Sequence, residues 1–85
     1  MAIAIEDVVQ TTREVSYELD DGQSLVLSVG TPAIVYNLSD KVARVEINTA
    51  DITDPEAQRL LRGYEGIYAE IALEALEVKV SAHAA

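Results

Sequence analysis

The sequence has no cysteine, no tryptophan and no phenylalanine, and it carries one histidine and one methionine. Without cysteine there are no disulfides, thiolate metal sites or thiol nucleophiles. The lone histidine, His83, is third from the end of the sequence. Termini are seldom held in register, so a serine–histidine pair has no ordered base to rely on. Bases are scarce as well: six Lys and Arg stand against fifteen Asp and Glu, for a net charge of −9. A surface this acidic repels phosphate backbones, which excludes direct binding of nucleic acid. No stretch approaches the ~20 apolar residues of a membrane span. The apolar start, Met1 to Ile5, meets Glu6 and Asp7 at once, without the basic flank and long apolar run of a signal sequence. The expectations are no membrane association and a cytoplasmic location.

Catalytic and cofactor equipment is equally thin. The glycines at 22, 30, 63 and 66 fit neither the phosphate loop nor the dinucleotide fingerprint. No Gly-x-Ser-x-Gly elbow surrounds a serine. Asp20, Asp21 and Gly22, or Asp51, Asp54 and Glu56, supply oxygen ligands, but neither group has the spacing of a calcium loop. Turn and capping chemistry accounts for both. The expectations are no cofactor, no metal, no catalytic residues and no enzymatic activity. A small enzyme working with carboxylates alone is the remote alternative, since paired acids do acid–base chemistry by themselves.

What the chain has is a core. Apolar residues make up 49% of it, enough to pack and too many for disorder. Its 85 residues suit a single compact domain whose small core leaves stability marginal, a condition often relieved by a partner subunit.

From about residue 13 to 48 the pattern has period two. Val15, Tyr17 and Leu19 interleave with polar residues. Asp20, Asp21 and Gly22 mark a hairpin, and Leu25, Leu27 and Val29 continue one face. Gly30 to Pro32 breaks the run. Ile34, Tyr36 and Leu38 are expected to rejoin the apolar face, followed by a turn at Ser39 to Lys41 and a fourth strand facing inward with Ala43, Val45 and Ile47. Val26, Val35 and Val42 fall on the opposite face, to be covered by the first twelve residues or by another subunit.

The pattern then turns helical. Thr53 or Asp54 suits an N-cap and Pro55 a first turn. Ala57, Leu60, Leu61, Tyr64, Ile67, Tyr68 and Ile71 recur at three- and four-residue spacing. They predict a helix over 54–77, with Glu70, Glu74 and Glu77 on its outer ridge. Residues 78–85 read as a short strand, begun by the alternation of Leu76, Val78 and Val80, or as a frayed tail. Residues 1–12 suit a short helix better than a strand.

The predicted fold is therefore α+β: a four-stranded antiparallel meander, extendable to five strands, under one long C-terminal helix. The predicted function is a small acidic, non-enzymatic protein-interaction module that associates with a protein partner or with itself, as a dimer or larger homo-oligomer. In general form the chain is similar to small acidic proteins of phages and mobile elements, a similarity of type that transfers no residues. Its interaction candidates are Leu73, Leu76 and Val80, apolar on the outer side of the predicted helix, and the acidic ridge of Glu70, Glu74 and Glu77. That ridge also supports an alternative: an inhibitor that mimics nucleic acid and blocks a nucleic-acid-binding enzyme.

Overall fold

The computed structural model describes residues 3–19 and 21–82. It is a mostly β structure, not the expected α+β fold. Seven strands run in order: β1 (Val8–Thr11), β2 (Val15–Glu18), β3 (Ser24–Leu27), β4 (Pro32–Leu38), β5 (Val42–Asn48), β6 (Gly66–Ala72) and β7 (Leu76–Val80). One short helix, α1 (Pro55–Leu60), and two single 3-10 turns, Thr49–Asp51 and Leu73–Ala75, complete the described elements.

Five strands form an antiparallel sheet in the order β6-β5-β4-β1-β7, while β2 and β3 pair separately as a hairpin. Of the expected meander the pairs β2–β3 and β4–β5 are present but lie in separate sheets, and β6, expected as helix, continues from β5. The first segment is strand, not helix, because Val8 to Thr11 fills the gap between β4 and β7. The strand begun at Leu76 is present as β7. The hairpin is present where the turn residues placed it: Gly22 stands at φ 86, and Asp21 Oδ1 accepts from the Gln23 N–H at 3.0 Å. Asp20 lies outside the described residues.

The largest correction is the long helix. It starts as its caps require, with Asp54 Oδ2 accepting from the Ala57 N–H at 2.9 Å and Pro55 in the first turn. It stops after Leu60 because Gly63 takes φ +94, a left-handed conformation that terminates helices. From Gly66 the chain is extended. Ile67, Ala69 and Ile71 turn inward, and Tyr68 and Glu70 outward. A Cβ on residue 66 would sit 3.2 Å from the Ile47 carbonyl, so glycine permits the close approach of β6 to β5.

The core lies on one face of the five-stranded sheet. Val9, Val35, Val45, Ile47 and Ile71 project from the sheet, and Leu25 and Leu27 of the hairpin join Ile52, Ala57 and Leu61 to close it. Val35 is therefore inside, and Ile34 and Tyr36 are outside, which reverses the expected phase of β4. Val26 is exposed, on the face away from the core as expected but without the cover expected from the first twelve residues.

Buried polar groups tie the pieces together. The Thr11 hydroxyl donates to the Ser28 carbonyl at 2.8 Å and accepts from the Thr31 N–H at 3.0 Å, which pins the end of the hairpin to β1. The buried Asp7 carboxylate accepts from Ala4 N–H and Ala82 N–H, each at 2.8 Å, joining the segment before β1 to the one after β7. Opposite Val35 the chain inserts a bulge. Glu6 N–H donates to the Val35 carbonyl and Val35 N–H to the Asp7 carbonyl, with Glu6 at φ 76.

Candidate functional site

The second face of the sheet carries the most unusual surface of the molecule. Strand register aligns one row across all five strands: Tyr68 on β6, Glu46 on β5, Ile34 on β4, Val8 on β1 and Val80 on β7. Ile34 is 48% exposed, Tyr68 60% and Val80 58%, so no described element covers this row. Tyr36, displaced by the bulge in β4, meets Tyr68 edge-to-face with ring centroids 5.5 Å apart. Such a contact adds ~0.5–1.5 kcal/mol beyond the area it buries.

One carboxylate, Glu46, sits within this row, and Glu70 and Glu77 flank it. Arg44 Nη2 lies 3.2 Å from Glu70 Oε1 across β5 and β6. Gln10 donates from its amide to Glu77 across β1 and β7. Glu46 accepts from the Tyr68 hydroxyl, and this bond, together with the negative charge of Glu46, raises the Tyr68 pKa above the ordinary tyrosine value. An open groove of about 550 Å³ runs along the start of β6, lined by Glu46, Asn48, Tyr64, Glu65, Gly66 and Tyr68. A second hollow shares Glu46 and Asn48 with it and reaches Val8, Pro32, Ile34 and Asp51. Together they make a strip of tyrosine rings, aliphatic side chains and carboxylates.

The Tyr68–Glu46 bond gives a direct test of this geometry. The folded state holds the Tyr68 proton more tightly than the unfolded chain does. Its contribution to stability is thus complete below the usual tyrosine range and is lost as pH rises through the raised value. Changing Glu46→Gln removes the charge, and the Tyr68 titration, followed by phenolate absorbance against a Tyr68→Phe reference, should move down toward the ordinary value. An unchanged titration would mean that the two groups do not meet.

The residues singled out in the sequence are placed separately. Glu70 is on β6 and Glu77 on β7, the two opposite edges of the sheet. Glu74 is in the 3-10 turn between them and pairs with Arg13 at 3.1 Å. The helix that would have aligned them as a ridge is absent. Leu76 is buried, Leu73 packs against the core, and of the three apolar candidates only Val80 stands on the open face. His83 lies outside the described residues. Among the described residues no cluster of three His, Cys, Asp or Glu side chains could hold a metal ion, and no helix is long and apolar enough to cross a membrane. The open row was missed because Ile34, Tyr36 and Tyr68 had been assigned to the core. Strand phase placed Ile34 and Tyr36 there and helical spacing placed Tyr68, yet Ala33, Val35 and Ala69 took the inner positions.

Comparison with known proteins supplies no relative: no family model, no curated protein and no solved structure matches this chain.

Proposed function

We propose that this chain is a non-enzymatic interaction module that docks a basic protein on the open face of its sheet. The observation that carries this reading is the exposure of Ile34, Tyr36, Tyr68 and Val80 on one face of the sheet, with the carboxylate of Glu46 set in the row between Tyr68 and Ile34. Scattered exposed apolar residues are ordinary, whereas several large ones gathered on one face with polar groups among them mark an interaction surface. Charge selects the partner. With −9 on the chain, Glu46 within the row and Glu70 and Glu77 beside it, a basic surface is attracted and an acidic one repelled.

Self-association is the second reading, favoured by the same uncovered band. The two readings differ in the sign of their salt dependence. A basic partner is bound less tightly as salt rises, while a second copy, with its own −9, is bound more tightly as repulsion is screened. The face itself is tested by substitution. Protein captured by the wild type should be lost with Ile34→Ser and kept with Val29→Ser, a control that removes an even more exposed apolar residue from the β3–β4 turn. Equal capture by both variants would remove the open face from the proposal.

A further inference from the structure

The sheet has two edges, and they are built differently. On β7 the register with β1 slips between Val8 and Val9, so that Lys79 is an extra residue bulged between Val78 and Val80. A short strand, a bulge and a lysine are the usual devices by which an edge is protected from further pairing. The opposite edge, β6, has none of them. It holds unbroken register with β5 over seven pairs, from Val42↔Ala72 to Asn48↔Gly66, and contains neither proline nor lysine.

The direction of its free hydrogen-bonding groups follows from the ladder. Thr49 N–H donates to the Glu65 carbonyl and Leu73 N–H to the Lys41 carbonyl, so the odd-numbered residues of β6 bond to β5. Gly66, Tyr68, Glu70 and Ala72 therefore point their N–H and C=O groups away from the sheet. Among the described residues no strand lies beyond them.

We propose that β6 is an acceptor edge for an added strand, and that the strand it takes is an extended segment alternating lysine or arginine with apolar residues. This deepens the docking reading above and rests on it for the identity of the partner as a basic protein. Side chains of an added strand alternate between the two faces. Those on the open face fall beside Tyr68 and Glu70, and toward the groove where Glu46 and Glu65 stand with the rings of Tyr64 and Tyr68. Carboxylates and exposed aromatic faces together favour an ammonium or guanidinium group on a long stem. Those on the other face fall beside Ile67, Ala69 and Ile71 at the rim of the core, where an apolar side chain is favoured. A second copy of β6 offers a tyrosine and a glutamate on the face where a base is wanted, so charge disfavours it as the occupant.

The experiment uses the isotope-labelled full chain with a short capped peptide alternating lysine and valine. Its controls are a peptide of the same composition without the alternation and one with glutamate in place of lysine. Binding of the alternating basic peptide should shift the amides of Gly66, Tyr68, Glu70 and Ala72 and slow their exchange with solvent, and the controls should bind about tenfold more weakly or less. Ala72→Pro removes an outward N–H without touching the ladder to β5, and Glu70→Lys reverses the local charge. Each should weaken binding about tenfold. Equal binding of both lysine peptides, spread over the acidic surface without slowed exchange at β6, would overturn the proposal. So would edge protection that appears with rising protein concentration and no peptide. Either result, alongside loss of capture by Ile34→Ser, would leave the docking face standing and remove only the added strand.

Discussion

Replacing Leu27 by alanine should lower stability by about 2–5 kcal/mol. Leu27 is fully buried, on a hairpin that shares no strand ladder with the five-stranded sheet. The bonds around Thr11, Ser28 and Thr31 and the apolar packing of Leu19, Leu25 and Leu27 join the hairpin to the rest of the core. The loss therefore combines the transfer of the removed carbons with a cavity that two stacked layers cannot readily close. A chain of 85 residues has a total stability of roughly 4–13 kcal/mol, so a large share of it depends on this one side chain. Thermal unfolding followed by circular dichroism should show the midpoint falling by about 10 °C or more. The neighbouring Val26→Ala, on the exposed side of the same strand, should change it far less. Similar losses for the two variants would mean that the hairpin does not face the sheet.

The contrast between these neighbours also shows what the sequence made legible. In β5 alternation places Ala43, Val45 and Ile47 inside, as found; in the hairpin it places Leu25 and Leu27 inside but fails at Val29, expected on their face and exposed beyond the end of β3. In β4 the run Ala33, Ile34, Val35, Tyr36 is apolar at every position, so alternation carries no phase. Pairing on both sides, with β1 and β5, and the chain's need to close a core against a small hairpin decided which row went inside. In β6 the ambiguity is of a different kind. Residues four apart share a face in a helix and in a strand alike, so Tyr64 with Tyr68, and Ile67 with Ile71, fit both. The residues that separate the two readings are Tyr68, inward on the predicted helix and outward on the strand, and Ala69, the reverse; a tyrosine tolerates exposure and alanine suits either side. The two glycines at 63 and 66 were the decisive local signal, since together they end the helix and admit the close approach to β5.

That displacement of the helix also explains the fate of the candidate site. The acidic ridge existed only as a consequence of helical spacing, so its members moved to three different elements once the spacing was lost. The open face arose in the same step. A long amphipathic helix would have needed a sheet face to cover, whereas strand β6 extends the sheet and leaves that face to the solvent. The docking surface is thus a product of topology, built by residues from five strands that no local pattern groups together.

Removing the carboxylate of Asp7 should cost about 2–4 kcal/mol, nearly as much as a large core side chain, although Asp7 contributes almost no apolar area. Asp7 is 1% exposed, and its two oxygens accept from the backbone of Ala4 and of Ala82. These partners flank β1 and β7, so one buried anion closes the sheet where the two segments leave it. Asp7→Ala strands two donors and opens a small void. Asp7→Asn keeps the shape but turns an amide N–H toward one of the donors, so it should recover less than half of the loss. Urea denaturation measures the global cost, and amide exchange locates it: Ala4 and Ala82 should lose protection first, ahead of the β5–β6 ladder. An Asp7→Ala variant within about 0.5 kcal/mol of the wild type would show that this carboxylate closes nothing. If the loss is found, Val80 and Val8 should be displaced with it, because the clamp sits beside the β1–β7 end of the open row. Partner capture would then fall in Asp7→Ala even where the fold survives, which ties a buried charge on one side of the sheet to the docking surface on the other.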